Sequence, residues 1–207
     1  MEALKESREA FREQCRQDTP GILGARTYAR NLIGLVSMAV NDPGQWWCLA
    51  AVGGLGRGTL SFCSDLDLLF LHQKRLDSDL RGVVSDLVQS LWDAGFEVGH
   101  VVSSVSGLKK LMSSDFSALT TYLEAEFLGG DRLLYHTWRE SVQKGQGMRT
   151  RRHFLDELVE GRQSRAQRSA ESTYILEPNL KEGLGGLRDL HALRWCGGRV
   201  PGSPEDH

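Results

Sequence analysis

Asp65 and Asp67 stand two residues apart in Ser64-Asp65-Leu66-Asp67-Leu68-Leu69-Phe70, at the entrance of an apolar run. On a β-strand both carboxylates project to one face, about 7 Å apart along the chain, while Leu66, Leu68 and Phe70 pack on the other. Two hard oxygen donors in that arrangement suit Mg2+, which keeps its other positions for water and triphosphate oxygens. Ser64 adds a hydroxyl within reach of phosphate. Upstream lies Gly53-Gly54-Leu55-Gly56-Arg57-Gly58. Glycines without a Cβ let backbone N–H groups approach phosphate oxygens, and Arg57 offers a fixed cation to the same group. The chemistry so outlined is the capture of a magnesium-bound nucleoside triphosphate, with Gly53, Gly54, Arg57 and Ser64 on the phosphates and Asp65 and Asp67 on the metal. An isolated Asp-x-Asp is more often a polar strand entrance beside a plain glycine turn; the flanking sequence reverses that preference in favour of the metal site.

Two other phosphate-binding patterns do not fit. No Gly-Lys-Ser or Gly-Lys-Thr follows the glycines, and the dinucleotide fingerprint requires a helix where this chain has strand-like sequence.

The elements that must hold these residues follow from periodicity. Residues 2–17, rich in Glu, Arg and Lys, predict a solvated helix, and Leu23–Val40 a better buried one. Trp46–Val52 and Leu66–Leu71 predict buried strands on either side of the glycine loop. Between Asp77 and Ala94, Leu80, Val84, Leu87, Val88 and Leu91 fall on one helical face, and Phe96–Ser103 returns to strand. Strand, helix and strand in that order predict a crossover between parallel strands. Beyond Ser106 the pattern predicts helices only, over 107–112, 116–128, 131–144 and 150–170. The expected fold is α/β (α+β): a short mixed sheet with flanking helices over residues 1–112, a helical extension over 113–195 and a loose tail over 196–207.

Composition narrows the classes. The 207 residues are 40% hydrophobic and 25% charged with a formal net charge of −2, an ordinary globular profile that points to no partner and makes nucleic acid an unlikely one. Lys144–Arg168 holds seven basic residues against Asp156, Glu157 and Glu160, read as a solvated helix face. Cys15, Cys48, Cys63 and Cys196 form no C-x-x-C pair, so neither a zinc site nor a disulfide framework is expected. A charged N-terminus and the lack of any apolar run near ~20 residues argue against export and membrane insertion, and a cytoplasmic location is the expectation.

The glycine pair, the loop arginine and Ser-Asp-x-Asp-Leu resemble the polymerase β-like nucleotidyltransferase superfamily. Adding Phe96-Glu97-Val98-Gly99-His100 and the block Tyr174-Ile-Leu-Glu-Pro-Asn-Leu-Lys-Glu-Gly-Leu-Gly-Gly-Leu-Arg-Asp-Leu-His191, the sequence resembles the N-terminal part of the PII uridylyltransferase (GlnD) family over residues 53–195. Leu55, Thr59 and Leu184 depart from the residues usual there, an aromatic, Glu and Pro. The resemblance implies Glu97 as a third metal carboxylate; His100 is out of phase with it, cannot share its face of a regular strand, and is read as structural. It implies transfer of UMP from UTP to a tyrosine of the trimeric PII nitrogen-regulatory signal protein by two-metal catalysis with Mg2+. Lys181 and Arg188, around a glycine turn that opens a helix with Asp189 in its first turn, are further candidates for phosphate contact. The family's hydrolase and glutamine-sensing domains are not matched here, so uridylyl removal is not expected of this chain. Adenylyl transfer to glutamine synthetase or RNA, and a catalytically idle nucleotide-binding module, are the alternatives.

Overall fold

The computed structural model describes residues 2–18, 21–40, 46–73, 78–148, 151–171 and 179–197. The chain divides into two compact units, Met1–Gln143 and Lys144–His207.

The first unit is built on a four-stranded sheet in the order β3-β2-β1-β4. β1 (Trp47–Val52) lies antiparallel to both β2 (Leu66–His72) and β4 (Glu126–Gly130), and β2 runs parallel to β3 (Val98–Ser104). The mixed sheet is therefore as expected, with the parallel pair joined through a helix, α4 (Ser78–Asp93), that ends at Gly95 with φ +85°. Every residue of β1 is buried, which requires cover on both faces. On one face Leu49, Ala51, Leu68 and Phe70 join a core with side chains of α1 (Glu2–Gln17), α2 (Gly21–Ala39) and α4. On the other, Cys48, Ala50, Leu69 and Leu71 are equally buried. Here α5 (Val105–Ser114), α6 (Phe116–Tyr122) and α7 (Arg132–Met148) contribute Leu108, Leu119, Tyr135 and Trp138 to the interior.

Two expectations are corrected. Helix α1 is not simply solvated: Leu4 and Phe11 are buried, Phe11 stacks on Tyr28 at 4.2 Å, and the Arg8 guanidinium lies 4.9 Å over the Phe62 ring. Only two apolar residues anchor an otherwise polar helix, so composition hides the docking face. Second, the helix expected over 116–128 stops short: residues 126–128 join 129 and 130 in β4. The segment is five residues long, ends in two glycines and pairs with β1 across an irregularity between Leu49 and Ala50, so it carries no period-two signal of its own. Its pairing with β1 places β4 in the sheet of the unit Met1–Gln143.

In the second unit, α8 (Arg151–Glu171) and α9 (Leu187–Trp195) are helical, and residues 179–186 form a tight turn before α9. Tyr174–Pro178 of the motif block and residues 198–207 of the expected tail lie outside the described residues. Among the described residues no helix is long and apolar enough to cross a membrane.

Candidate functional site

The register of the sheet builds the site. Asp67 pairs with Val52 on β1 and with Gly99 on β3, so its side chain shares a face with both. Gly53 follows Val52 in a left-handed conformation, φ +59°. A Cβ on Gly53 would overlap Asp67 Oδ2, and one on Gly99 would lie 2.9 Å from Oδ1. The carboxylate of Asp67 thus sits in a cradle that exists because both neighbours are glycine. Asp65 is exposed just ahead of β2, behind a turn in which the Ser64 amide donates to Ser61 O at 3.1 Å and the two serine hydroxyls lie 3.0 Å apart.

Glu97 immediately precedes β3, and its carbonyl accepts the Leu66 amide at 2.8 Å. Continuing the Leu66–Val98 register by one residue sets Glu97 beside Asp65, and alternation gives both the face of Asp67. Glu97 is exposed. His100 pairs with Leu68 and faces the other side, beside Trp92 and Val88 of α4. Asp65, Asp67 and Glu97 share one end of one sheet face, yet among the described residues no three His, Cys, Asp or Glu side chains are close enough to enclose a metal ion.

The glycine loop is more ordered than its composition implies. Gly53–Gly56 make one helical turn, α3, closed by Arg57 N–H to Gly53 O (3.1 Å), Gly58 N–H to Leu55 O (2.9 Å) and Thr59 N–H to Gly54 O (3.0 Å). The amides of Arg57, Gly58 and Thr59 are thereby spent within the loop. The Gly53 and Gly54 amides open the turn, where helical geometry provides no acceptor within the helix, so they are the loop's candidates for phosphate. Gly56 has a packing reason instead, since a Cβ there would press on the backbone oxygens of Glu124 and Ala51 at 2.6 and 2.8 Å. Leu55 is fully buried and anchors the turn.

Arg57 Nη1 lies 3.7 Å from Glu124 Oε2, both side chains being about one-sixth exposed. Its Nη2 lies 3.9 Å from where a Gly54 Cβ would stand, so the guanidinium overlies the start of the loop. Sequence reasoning missed Glu124; it precedes β4 far along the chain, and no local pattern ties it to Arg57. Tyr122, buried at the end of α6, was missed as well: burial first, then the negative charges of Asp67 and Asp115, push its hydroxyl above the usual range.

In the second unit the Asn179 side chain accepts the Lys181 and Glu182 amides at 3.0 and 2.9 Å, and Lys181 is exposed. Arg188 donates to Glu182 Oε1 at 3.0 Å. Asp189 accepts from Arg165 Nη2 at 2.8 Å and from the Gly185 amide at 2.9 Å, with Arg162 Nε at 3.4 Å. Burial would raise Asp189, but the Gly185 amide and the two arginines outweigh it and hold the carboxyl below its usual range. Two of the basic residues in Lys144–Arg168, Arg162 and Arg165, thus pair within their own unit. A Cβ on Gly186 would meet Leu180 O at 2.7 Å, which accounts for one glycine of the motif by packing.

Residues 153–200 match the family model described as GlnD PII-uridylyltransferase. Over 156 residues, 73% of the chain, the sequence is 41% identical to the bifunctional uridylyltransferase/uridylyl-removing enzyme of Caulobacter vibrioides (strain NA1000 / CB15N), covering 16% of that protein. Proteins of the same description from Novosphingobium aromaticivorans and Nitrosococcus oceani are 36% identical over 173 residues and 38% over 151, covering 81% and 73% of this chain and 18% and 17% of theirs. The chain spans about a sixth of the length of the curated relatives it matches.

Proposed function

Since this chain is homologous to a segment of the GlnD-type PII-uridylyltransferases, we propose that it carries the nucleotidyl-transfer site of such an enzyme, moving UMP from UTP to a tyrosine of a PII signal protein. The observation that carries this reading is the cradling of the Asp67 carboxylate between Gly53 and Gly99, at the mouth of a glycine turn overlain by Arg57.

In this reading the acceptor's phenolic oxygen attacks the α-phosphorus of UTP, the bond to the β-phosphate bridge breaks, and pyrophosphate leaves. The residue types suit Mg2+: Asp67 offers a carboxylate whose place is set by Gly53 and Gly99, and Asp65 and Glu97 stand at the same end of the same face as further hard donors. When bound, two Mg2+ ions supply activation of the attacking hydroxyl and shielding of the leaving phosphates. The Gly53 and Gly54 amides and Arg57 hold the triphosphate against that edge, so the reacting atoms meet already aligned. Ser64 lies one residue before the carboxylates and donates to a phosphate oxygen. Within the second unit, taken by itself, Lys181 and Arg188 are the candidates for phosphate, Lys181 the better one because Arg188 already serves Glu182.

The test offers radiolabelled UTP, ATP or CTP with Mg2+ to the chain together with PII protein, glutamine synthetase or RNA. Label is expected on PII from UTP alone. Asp67→Asn is expected to lower transfer at least about a thousandfold with circular dichroism unchanged, because an amide replaces a charged ligand at the reacting centre. Label on another acceptor, or full transfer by Asp67→Asn, would refute the assignment.

A further inference from the structure

We propose that Glu124 is a positioning residue for the nucleoside triphosphate, acting through Arg57; this rests on the nucleotidyl-transfer reading and extends it to a residue outside the motif region.

The turn that carries Glu124 is held from several sides. Arg139 of α7 donates to the carbonyls of Tyr122 and Leu123 at 3.2 and 2.7 Å, and the Tyr135 hydroxyl donates to Ala125 O at 2.7 Å. Glu124's own carbonyl lies against Gly56, where a Cβ would come within 2.6 Å. So α7 fixes the backbone on both sides of Glu124, and the glycine turn packs directly upon it. From this platform Glu124 Oε2 faces Arg57 Nη1 at 3.7 Å, with both side chains mostly buried. A guanidinium is a planar fork, so a carboxylate engaging one edge fixes where the other edge points. That other edge, Nη2, lies over Gly54, at the start of the turn to which the proposed function assigns the phosphates.

Two effects of removing the Glu124 charge oppose each other. Losing a negative charge near the triphosphate favours binding, whereas losing the partner that orients a mostly buried guanidinium disfavours it. The rigid mounting of the turn makes orientation the larger effect, so Glu124→Gln weakens binding.

The readout is the affinity of the full chain for fluorescently labelled UTP with Mg2+. Arg57→Ala and Glu124→Gln are each expected to weaken binding about tenfold, and the double variant to be no weaker than Arg57→Ala, because without Arg57 the orienting effect of Glu124 is gone and only its charge repulsion remains. Glu124→Asp keeps the charge one methylene further back and is expected to fall between wild type and Glu124→Gln, a graded loss readable with the fold intact. Unchanged or tighter binding by Glu124→Gln, or losses that multiply in the double variant, would overturn this proposal while leaving the parent reading standing. A wild-type chain that takes up no nucleoside triphosphate would sink both.

Discussion

At the site, geometry is enforced by the absence of side chains as much as by their presence. The Asp67 carboxylate lies where a Cβ on Gly53 or Gly99 would intrude, but the two glycines are not equivalent. Gly53 is left-handed, φ +59°, so alanine there strains the backbone as well as displacing the carboxylate. Gly99 lies within β3, and Asp67 Oδ1 at 2.9 Å is the neighbour its Cβ would meet. Replacing a strand glycine by alanine removes chain entropy from the unfolded state, which favours folding by roughly 0.4–1 kcal/mol. Gly99→Ala is therefore expected to leave the melting temperature unchanged or slightly raised while lowering the proposed nucleotidyl transfer at least about tenfold, because the carboxylate must rotate to make room. Thermal melts and transfer rates on one preparation check this. Wild-type transfer by Gly99→Ala would show that the position of the Asp67 carboxylate is immaterial, and with it the metal-ligand role would fall. The Asp65–Asp67 spacing was legible in sequence because strand alternation is local. The reason for Gly53 and Gly99 was not, since it lies in the pairing of three strands.

Among the elements, those with a strong local period were readable. β1 and β2 are apolar runs, and α4 carries an apolar face from Leu80 to Leu91. β4 was not, and it shows what a strand defined by tertiary contact looks like. Gly130 has φ +85°, and a Cβ there would overlap Trp47 O of β1. Gly58 is also left-handed, φ +67°, but nothing lies within 4 Å of its Cβ position. The pair separates backbone strain from close approach. Gly58→Ala is expected to cost about 1 kcal/mol for conformation alone. Gly130→Ala must also push β4 off β1, and is expected to cost at least about 2–3 kcal/mol, a fall of order 5–10 °C in melting temperature. Equal melting temperatures for the two variants would mean that the β1–β4 contact yields freely. Glu124 sits two residues before β4, so the same invisibility that hid the strand hid its ion pair with Arg57.

The first unit as a whole buries ionisable groups on both faces of its sheet, which makes its stability depend on alkaline pH. Burial pushes the Tyr28 hydroxyl up to about 12 on the α1–α2 side, and pushes Tyr135 and Cys48 up to about 12 on the α7 side. Tyr122 is raised as well, by burial and by Asp67. Each of these groups is neutral when protonated and is held neutral by the fold, so its folded pKa exceeds the unfolded value of 10.0 for tyrosine or 9.0 for cysteine. Their contribution is complete below the unfolded pKa and is lost as pH climbs from there toward about 12, at roughly 3 kcal/mol for each of Tyr28 and Tyr135 and roughly 4 kcal/mol for Cys48. Together these losses approach ~9 kcal/mol by about pH 12, comparable with the ~5–15 kcal/mol stability of a whole domain, so unfolding between about pH 11 and 12 is expected. Three of the four tyrosines are among these buried groups, Tyr174 lying outside the described residues. Tyrosinate absorbance and helical circular dichroism should therefore change together on alkaline titration, with no more than about a quarter of the absorbance rise preceding the loss of helix. Because Tyr28 lies on one face of the sheet and Tyr122 and Tyr135 on the other, their ionisation in one step would also mean that both layers melt as one. Most of the tyrosinate signal appearing near pH 10 with the helices intact would mean that these hydroxyls reach solvent without unfolding, and would contradict the packing of α2 and α7 against the sheet.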